Sequence, residues 1–184
     1  MQPVTDAMDL FRRQRAVREF SDRPVEDETL RQILEAAIHG PSGSNTQPWK
    51  FIVVRDPAVK TALDVEYAIV HGTEAAGPGV MAKAPVLIIP CVRVPERTGQ
   101  VGFQTGASIY PACQNLMLAA RALGLGTVLT TSHRVRKEQV HAILGIPAGW
   151  DSAAMIPLGW PTRAYGPNHR PPLDEAIYLD HWSE

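Results

Sequence analysis

The sequence predicts a single domain in which helices and strands are mixed along the chain, and three observations carry that expectation. Leu30, Ile33, Leu34, Ala37 and Ile38 repeat at the spacing of one buried helix face. Pro85 to Cys91 is a continuous apolar run, as expected of a strand covered on both faces. Gln104 to Leu123 reads as a long helix with Ile109, Ala112, Leu116, Ala119 and Ala120 on one side. At 184 residues the chain fits one domain, 1–184, long enough to bury a core without metal or disulfide support.

Composition excludes several classes. With 18 basic and 19 acidic residues the formal charge is -1, which argues against a general nucleic-acid or anionic-membrane surface. Any anion site must be local. Cys91 and Cys113 show no paired spacing of a metal site or disulfide framework, so a reduced, cytoplasmic setting is expected. Asp6 and Asp9 interrupt the N-terminus, which does not read as a secretory signal. Ala84 to Val92, the most apolar stretch, falls far short of the roughly 20 residues that span a bilayer as a helix.

The first helix is expected over Thr5 to Gln14, capped by Thr5 or Asp6, with Met8, Leu10 and Phe11 on its buried side. Arg12, Arg13, Arg15 and Arg18 follow, and such a run is ordinarily a solvated helix end favoured by the macrodipole. The second helix takes Glu26, Asp27 and Glu28 into its first turn and stops at Gly40-Pro41, where glycine is expected as a left-handed cap. A polar loop then leads through Trp49 into a strand over Phe51 to Val54. Ser, Gly, Asn and Pro are ordinary turn formers, yet a polar loop leaving a scaffold element is also where binding groups sit.

Asp56-Pro57 opens a helix through about Tyr67. Ala68 to Met81, with His71, Glu74, Gly77, Pro78 and Gly79, reads as an irregular helix or a mobile flap, and Arg93 to Gly102 as a loop. Pro111 is compatible with the long helix in its early turns or at a kink, and Gly124 caps it. Polar Gln114 and Asn115 are expected to make interhelical hydrogen bonds. Thr127 to Thr131 and Ala153 to Gly159 read as strands, with a helix near Arg136 to Leu144 between them that ends at Gly145. The tail Tyr165 to Leu173 is bounded by prolines and is not expected to fold on itself.

Pro41-Ser42, then Asn45, then Gln47-Pro48-Trp49 with a strand behind it, closely resembles the Pro-Ser-x-x-Asn-x-Gln-Pro-Trp signature of the nitroreductase family of FMN-dependent oxidoreductases. Arg15-Ala16-Val17-Arg18-Glu19-Phe20, followed by Pro24-Val25, is similar to that family's N-terminal element. Gln114 to Gly126 resembles its central helix, and Pro157-Leu158-Gly159-Trp160-Pro161 its Pro-Leu-Gly-Tyr-Pro run. The resemblance covers nearly the whole chain.

That resemblance implies an α+β, nitroreductase-like fold: a mixed, mainly antiparallel central sheet flanked by helices, with a C-terminal extension over the partner subunit. It also implies a homodimer with FMN at the subunit interface, the Pro41 to Asn45 loop completing a site formed largely by the other chain. Arg15 and Arg170 would meet the FMN phosphate, and Arg18 the N1 and O2 edge of the flavin. Ser42, Gly43, Asn45 and Gln47 would bond the ribityl chain and ring edge, with Pro41 and Ala16 alongside. Leu129, Thr130 and Thr131 would pass the isoalloxazine ring, and Ser44 would face the substrate. Lys83 is the nearest candidate for a flavin contact from the Ala68 to Lys83 stretch. Two positions depart from the pattern: Gln14 stands where many members have a phosphate-binding arginine, and Ala16 where many have a serine.

No Ser-His-Asp or Cys-His constellation, Walker loop, Gly-x-Gly-x-x-Gly fingerprint or metal-binding histidine pair is readable in the sequence. That absence agrees with what the resemblance implies, an enzyme with no catalytic side chain of its own whose chemistry would sit on FMN N5. By the resemblance, NAD(P)H would reduce the flavin and leave, and a nitroaromatic, quinone or similar acceptor would then take the hydride in a ping-pong cycle. Two alternatives remain: a flavoenzyme of this fold with another reaction, such as dehydrogenation, and a non-catalytic flavin-binding or ligand-sensing protein.

Overall fold

A computed structural model of the protein describes residues 1–73 and 77–182. Strand β2 (Val86–Arg93) is its centre, because the two-residue period of a strand sends its side chains into two different cores. Val86, Ile88 and Val92 join Leu30, Ile33 and Ala37 of α2 (Asp27–Ile38) and Ile109, Ala112 and Leu116 of α5 (Phe103–Ala122). Leu87, Ile89 and Cys91 face the opposite way, against Leu63 of α3 (Pro57–Val70) and Val140 of α6 (Lys137–Leu144). The continuous apolar run is thus covered on both faces, as expected.

Strand β1 (Trp49–Val54) runs antiparallel along one edge of β2, Trp49 opposite Val92 and Val54 opposite Leu87. The other edge is shared by β4 (Trp150–Ser152) and β5 (Ile156–Gly159), with β3 (Gly126–Thr127) beyond β5. Every strand pairing is antiparallel; the parallel component is an isolated bridge from Ala16 to Thr127. The architecture is the expected α+β one.

Several expectations on the elements are corrected. The strand predicted over Thr127 to Thr131 forms a ladder only at Gly126–Thr127, and Thr130 returns to the sheet through a bridge to Met155. The strand predicted from Ala153 begins at Ile156, since Ala153 to Met155 break the second edge of β2 between β4 and β5. Helix α1 (Ala7–Arg13) is capped by Asp6, whose carboxylate accepts from Asp9 N at 2.8 Å. Its expected buried side is not buried: Met8 is 59% and Phe11 53% exposed. Ile38 of α2, at 43%, is likewise outside the core.

Gly40 is not a left-handed cap. A Cβ there would lie 2.9 Å from Ala112 N, so glycine is required by the close approach of α2's end to the backbone of α5. Gly124 (φ 87°) and Gly145 (φ 64°) do take the left-handed conformation after α5 and α6. The Ala68 to Met81 stretch resolves into the end of α3, capped at His71, and the short α4 (Val80–Lys83); Glu74, with residues 75–76, lies outside the described residues. Asp64 of α3 accepts from Gly79 N at 2.6 Å and Met81 N at 3.0 Å, which ties α4 to α3. Among the described residues no helix is long and apolar enough to cross a membrane.

Candidate functional site

The loop after α2 is held in an unusual backbone conformation. Ser44 (φ 50°), Asn45 (φ 55°) and Gln47 (φ 49°) are all left-handed without being glycine. Each such residue costs on the order of 1 kcal/mol, and it persists only where the surroundings over-determine it. The bracing is visible. Ser42 Oγ accepts from Gln47 N at 3.1 Å, Asn45 N donates to Ser42 O at 3.0 Å, and Thr46 Oγ1 donates to Gly43 O at 2.9 Å. Gln47 Nε2 donates to Asn45 O at 3.2 Å and Oδ1 at 3.3 Å. Gly43 N donates to Ser108 Oγ of α5 at 3.2 Å, fixing the loop to that helix. Pro41, Gly43, Ser44, Asn45 and Gln47 remain exposed, with Ser42 half-buried.

A second group of candidates surrounds the end of α1. Ala16 bridges to Thr127, and Val17 N donates to Thr127 O at 2.8 Å, so Arg15 and Arg18 flank an extended segment laid against β3. The tail returns to the same place: Asn168 N donates to Arg12 O at 2.7 Å, and its Nδ2 to Phe11 O and Gln14 O at 3.1 Å each. Arg15 lies over the Tyr165 ring at 5.5 Å and Arg163 at 4.6 Å. Arg170, two residues past the Asn168 anchor, bonds the carbonyl of its neighbour His169. Beyond it the tail is exposed, with Leu173 at 72%, Leu179 at 82% and Trp182 at 81%.

A third feature is an apolar groove of about 530 Å3 along the first half of α5, lined by Phe103, Gly106, Tyr110, Ala153 and Arg134 among others. Leu129, half-buried, packs on the core; Thr130 Oγ1 meets Ser132 Oγ at 3.1 Å; Thr131 O accepts from Arg134 N at 3.0 Å. Leu129, Thr130 and Thr131 do not line the groove themselves; Thr131 is tied to it through Arg134. The loop is anchored at Ser108. Gly106 and Tyr110 each stand two positions from Ser108, and two positions are about 200° around a helix. The lining then continues round the helix to Pro111, one turn from Ser108, so within one protomer the groove begins on the far side of α5 and ends near the loop's anchor.

The structure also assembles a constellation that the sequence did not disclose. Ser152 Oγ lies 3.0 Å from both His133 Nε2 and His141 Nε2, and His141 Nε2 lies 3.4 Å from Asp151 Oδ1. Arg134 donates to Ser152 O at 2.9 Å and Asp151 Oδ2 at 3.2 Å, and Lys137 reaches the same oxygen at 3.3 Å. Ser152 and His133 are fully buried, so no substrate reaches this hydroxyl as a nucleophile. Burial pushes His133 down to about 4 and lowers His141, which keeps both rings neutral near pH 7. The network ties α6 to the sheet. Its side-chain hydrogen bonds join residues 133–141 to residues 151–152, eleven to nineteen positions apart, and no spacing rule connects them.

Other candidates stay apart. Lys83 ends α4, exposed; His71 caps α3 with its ring 4.4 Å from Tyr67. Gln114 and Asn115 make no side-chain hydrogen bond among the described residues, unlike the expected interhelical pairing. Cys91 and Cys113 are free and buried, their thiols pushed up to about 11 and about 12. No cluster among the described residues could hold a metal ion.

The donor set suits a phosphorylated, polar-edged cofactor. Arg15, Arg18 and Arg170 have no carboxylate partner among the described residues, whereas their neighbours Arg13 and Arg163 pair with Asp9 and Glu19. Free guanidiniums beside an anchored tail, and a loop presenting a serine hydroxyl and amide groups, are the groups a phosphate, a ribityl chain and a flavin edge require.

Comparison with known proteins gives the family. The family model described as the nitroreductase family matches residues 11–160. A Thermus thermophilus protein named NADH dehydrogenase is 34% identical, the match covering 95% of this chain and 96% of the relative. A Rhodospirillum rubrum 5,6-dimethylbenzimidazole synthase is 30% identical over 87% of this chain and 84% of its own length. A crystal structure from Bacteroides thetaiotaomicron, whose name joins NADH dehydrogenase and NAD(P)H nitroreductase, superposes with a TM-score of 0.81 at 26% identity, covering 97% of this chain and all of that one.

Proposed function

The chain belongs to the nitroreductase family of oxidoreductases, and from that premise we propose that it is an FMN-dependent enzyme passing hydride from NAD(P)H to nitroaromatic, quinone or similar acceptors. Residues 1–184 act as one FMN-binding domain in a homodimer. The observation that carries the reading is the braced, left-handed loop at Ser44, Asn45 and Gln47, set on the residues of the family signature.

FMN, when bound, supplies the hydride-accepting and hydride-donating chemistry. The chain supplies position and charge. Arg15 and Arg170 would hold the phosphate, and Arg18 would place positive charge at the N1 and O2 edge. Ser42, with its O–H free to donate because its lone pairs receive Gln47 N, joins Gly43, Asn45 and Gln47 on the ribityl chain and ring edge. Leu129, Thr130 and Thr131 line the ring beside Ala16 and Pro41, and Ser44 faces the acceptor. As the family resemblance implies, the partner's copy of the loop completes each site. The exposed apolar tail supports the same pairing.

The relative named as a 5,6-dimethylbenzimidazole synthase favours a second reading, another flavin reaction on the same scaffold. An absorbance spectrum and release of bound flavin, followed by anaerobic addition of NAD(P)H, test both. Flavin that bleaches and is reoxidised by a quinone supports the reductase; flavin inert to both nucleotides supports the second reading. No flavin, even after reconstitution, refutes the proposal. Arg15→Ala and Arg170→Ala should each weaken FMN binding by about 1.5 to 3 kcal/mol, the usual worth of a hydrogen bond to a charged group.

A further inference from the structure

The groove along α5 is walled by apolar and aromatic groups, Phe103 and Tyr110 among them, and the charged side chain among its lining residues is Arg134. That guanidinium is held in place from behind, by Ser152 O at 2.9 Å and Asp151 Oδ2 at 3.2 Å. Asp151 does not cancel it. The same carboxylate also faces Lys137 at 3.3 Å, so one buried anion is shared by two cations. Asp151 is 3% exposed and lies behind the guanidinium, whereas the Arg134 side chain is 37% exposed. His133 and His141 are neutral and add no charge, while Glu138 of α6, which acts on His141, adds a negative charge that does not line the groove. Arg134 N is bonded to Thr131 O, which sets this cation at the end of the candidate flavin-facing segment.

We propose that Arg134 is a specificity-determining residue that selects aromatic acceptors carrying a carboxylate, the ring lying in the α5 groove and the carboxylate on the guanidinium. The assignment of the ligand as an acceptor rests on the flavoenzyme reading above; the anion preference of the groove does not. A fixed planar fork facing out of an apolar wall is suited to a carboxylate, whose two oxygens match two N–H groups. A neutral ring of the same shape would gain the apolar contacts alone.

The test is equilibrium binding of 4-nitrobenzoate and of neutral, near-isosteric 4-nitrobenzamide to the oxidised protein by calorimetry, without reductant. Wild type should bind the carboxylate about tenfold or more tightly than the amide, the range of a charge-assisted pair. Arg134→Gln should bring that ratio close to one while leaving amide binding within about twofold. Arg136→Gln, which removes a cation paired instead with Glu66, should keep the wild-type ratio. If Arg134→Gln does not fold, Arg134→Lys carries the test: loss of the planar fork should lower the ratio clearly below that of wild type, and a wild-type ratio overturns the proposal. Equal binding of the two probes by wild type, an unchanged ratio in Arg134→Gln, or no binding of either probe overturns the proposal. Flavin content and quinone reduction, measured on the same samples, report separately on the oxidoreductase reading, since anion preference is read without turnover.

Discussion

Acidification should weaken the fold through one buried ring. His133 is fully buried; its Nε2 meets Ser152 Oγ at 3.0 Å and Ser152 O at 3.4 Å, and its Nδ1 has no hydrogen-bond partner. A proton on Nδ1 would be a buried charge with nothing to receive it. Burial, the largest cause, holds the ring at about 4, below the 6.5 of an exposed histidine, with Arg134 adding to the depression and the Ser152 backbone and Asp151 opposing it. The folded value lies below the unfolded one, so the unfolded chain binds the extra proton first. The contribution is therefore complete above pH 6.5 and is lost as pH falls toward 4. A gap of about 2.5 units at about 1.4 kcal/mol each gives a loss of about 3 kcal/mol, a large part of the 5 to 15 kcal/mol that holds an ordinary domain. Carboxylates titrate in the same range, so the quantity to measure is a difference. Urea unfolding of wild type and His133→Gln from pH 7.5 to 4.5 should show wild type losing about 2.5 kcal/mol more than the variant, whose amide can still donate to Ser152. Parallel stability curves for the two proteins would refute the reasoning.

Gly40→Ala should destabilise by about 1 to 3 kcal/mol in urea or thermal unfolding, because its methyl group would press on the Ala112 backbone at 2.9 Å and neither helix can yield locally. Asp64→Ala should cost about 3 kcal/mol, since it removes a 6%-exposed carboxylate from the N–H groups of Gly79 and Met81. Hydrogen exchange should accelerate first at those two amides, and unchanged protection there would count against the assignment. Ser42→Ala should change global stability by about 1 kcal/mol at most, as the loss of one exposed bond to Gln47 N implies, while loosening FMN more than that. Equal flavin affinity in wild type and variant would remove Ser42 from the site.

The parts of the fold that were legible in the sequence are those where burial is dictated by one period. The run through β2, the Leu30, Ile33 and Ala37 face of α2 and the Ile109, Ala112 and Leu116 face of α5 each announce themselves, because each needs only its own chain segment to specify a buried side. The errors fall where a partner decides. Gly40 read as a cap from composition, but its requirement comes from a helix more than sixty positions away. The 127–131 strand was read from β-branched residues, whereas the ladder ends where its neighbour breaks at Ala153 to Met155. In the candidate site, the signature loop was legible as an ordered string of residues, and its left-handed backbone was not, because Ser44, Asn45 and Gln47 carry no glycine to signal it. The Ser152, His133, His141 and Asp151 network was invisible for the same reason: hydrogen bonds between a turn, a helix and a strand edge leave no spacing in the sequence.

The misjudged exposure of α1 bears directly on the proposed dimer. Met8 and Phe11 have the spacing of a buried helix side and are more than half exposed in the protomer, while the tail is fastened to the carbonyls of Phe11, Arg12 and Gln14 and then runs on uncovered. Covering Leu173, Leu179 and Trp182 would contribute on the order of 1.5 to 3 kcal/mol each, enough to repay the ordering of an extended segment only if a large apolar surface receives them. A second copy offers such a surface, since each protomer also leaves Phe103 94% exposed on the groove side of α5. The same pairing would carry the partner's braced loop toward the groove. Stability and active-site assembly would then depend on one event, and the strain held at Ser44, Asn45 and Gln47 would be maintained for a site on the neighbouring subunit.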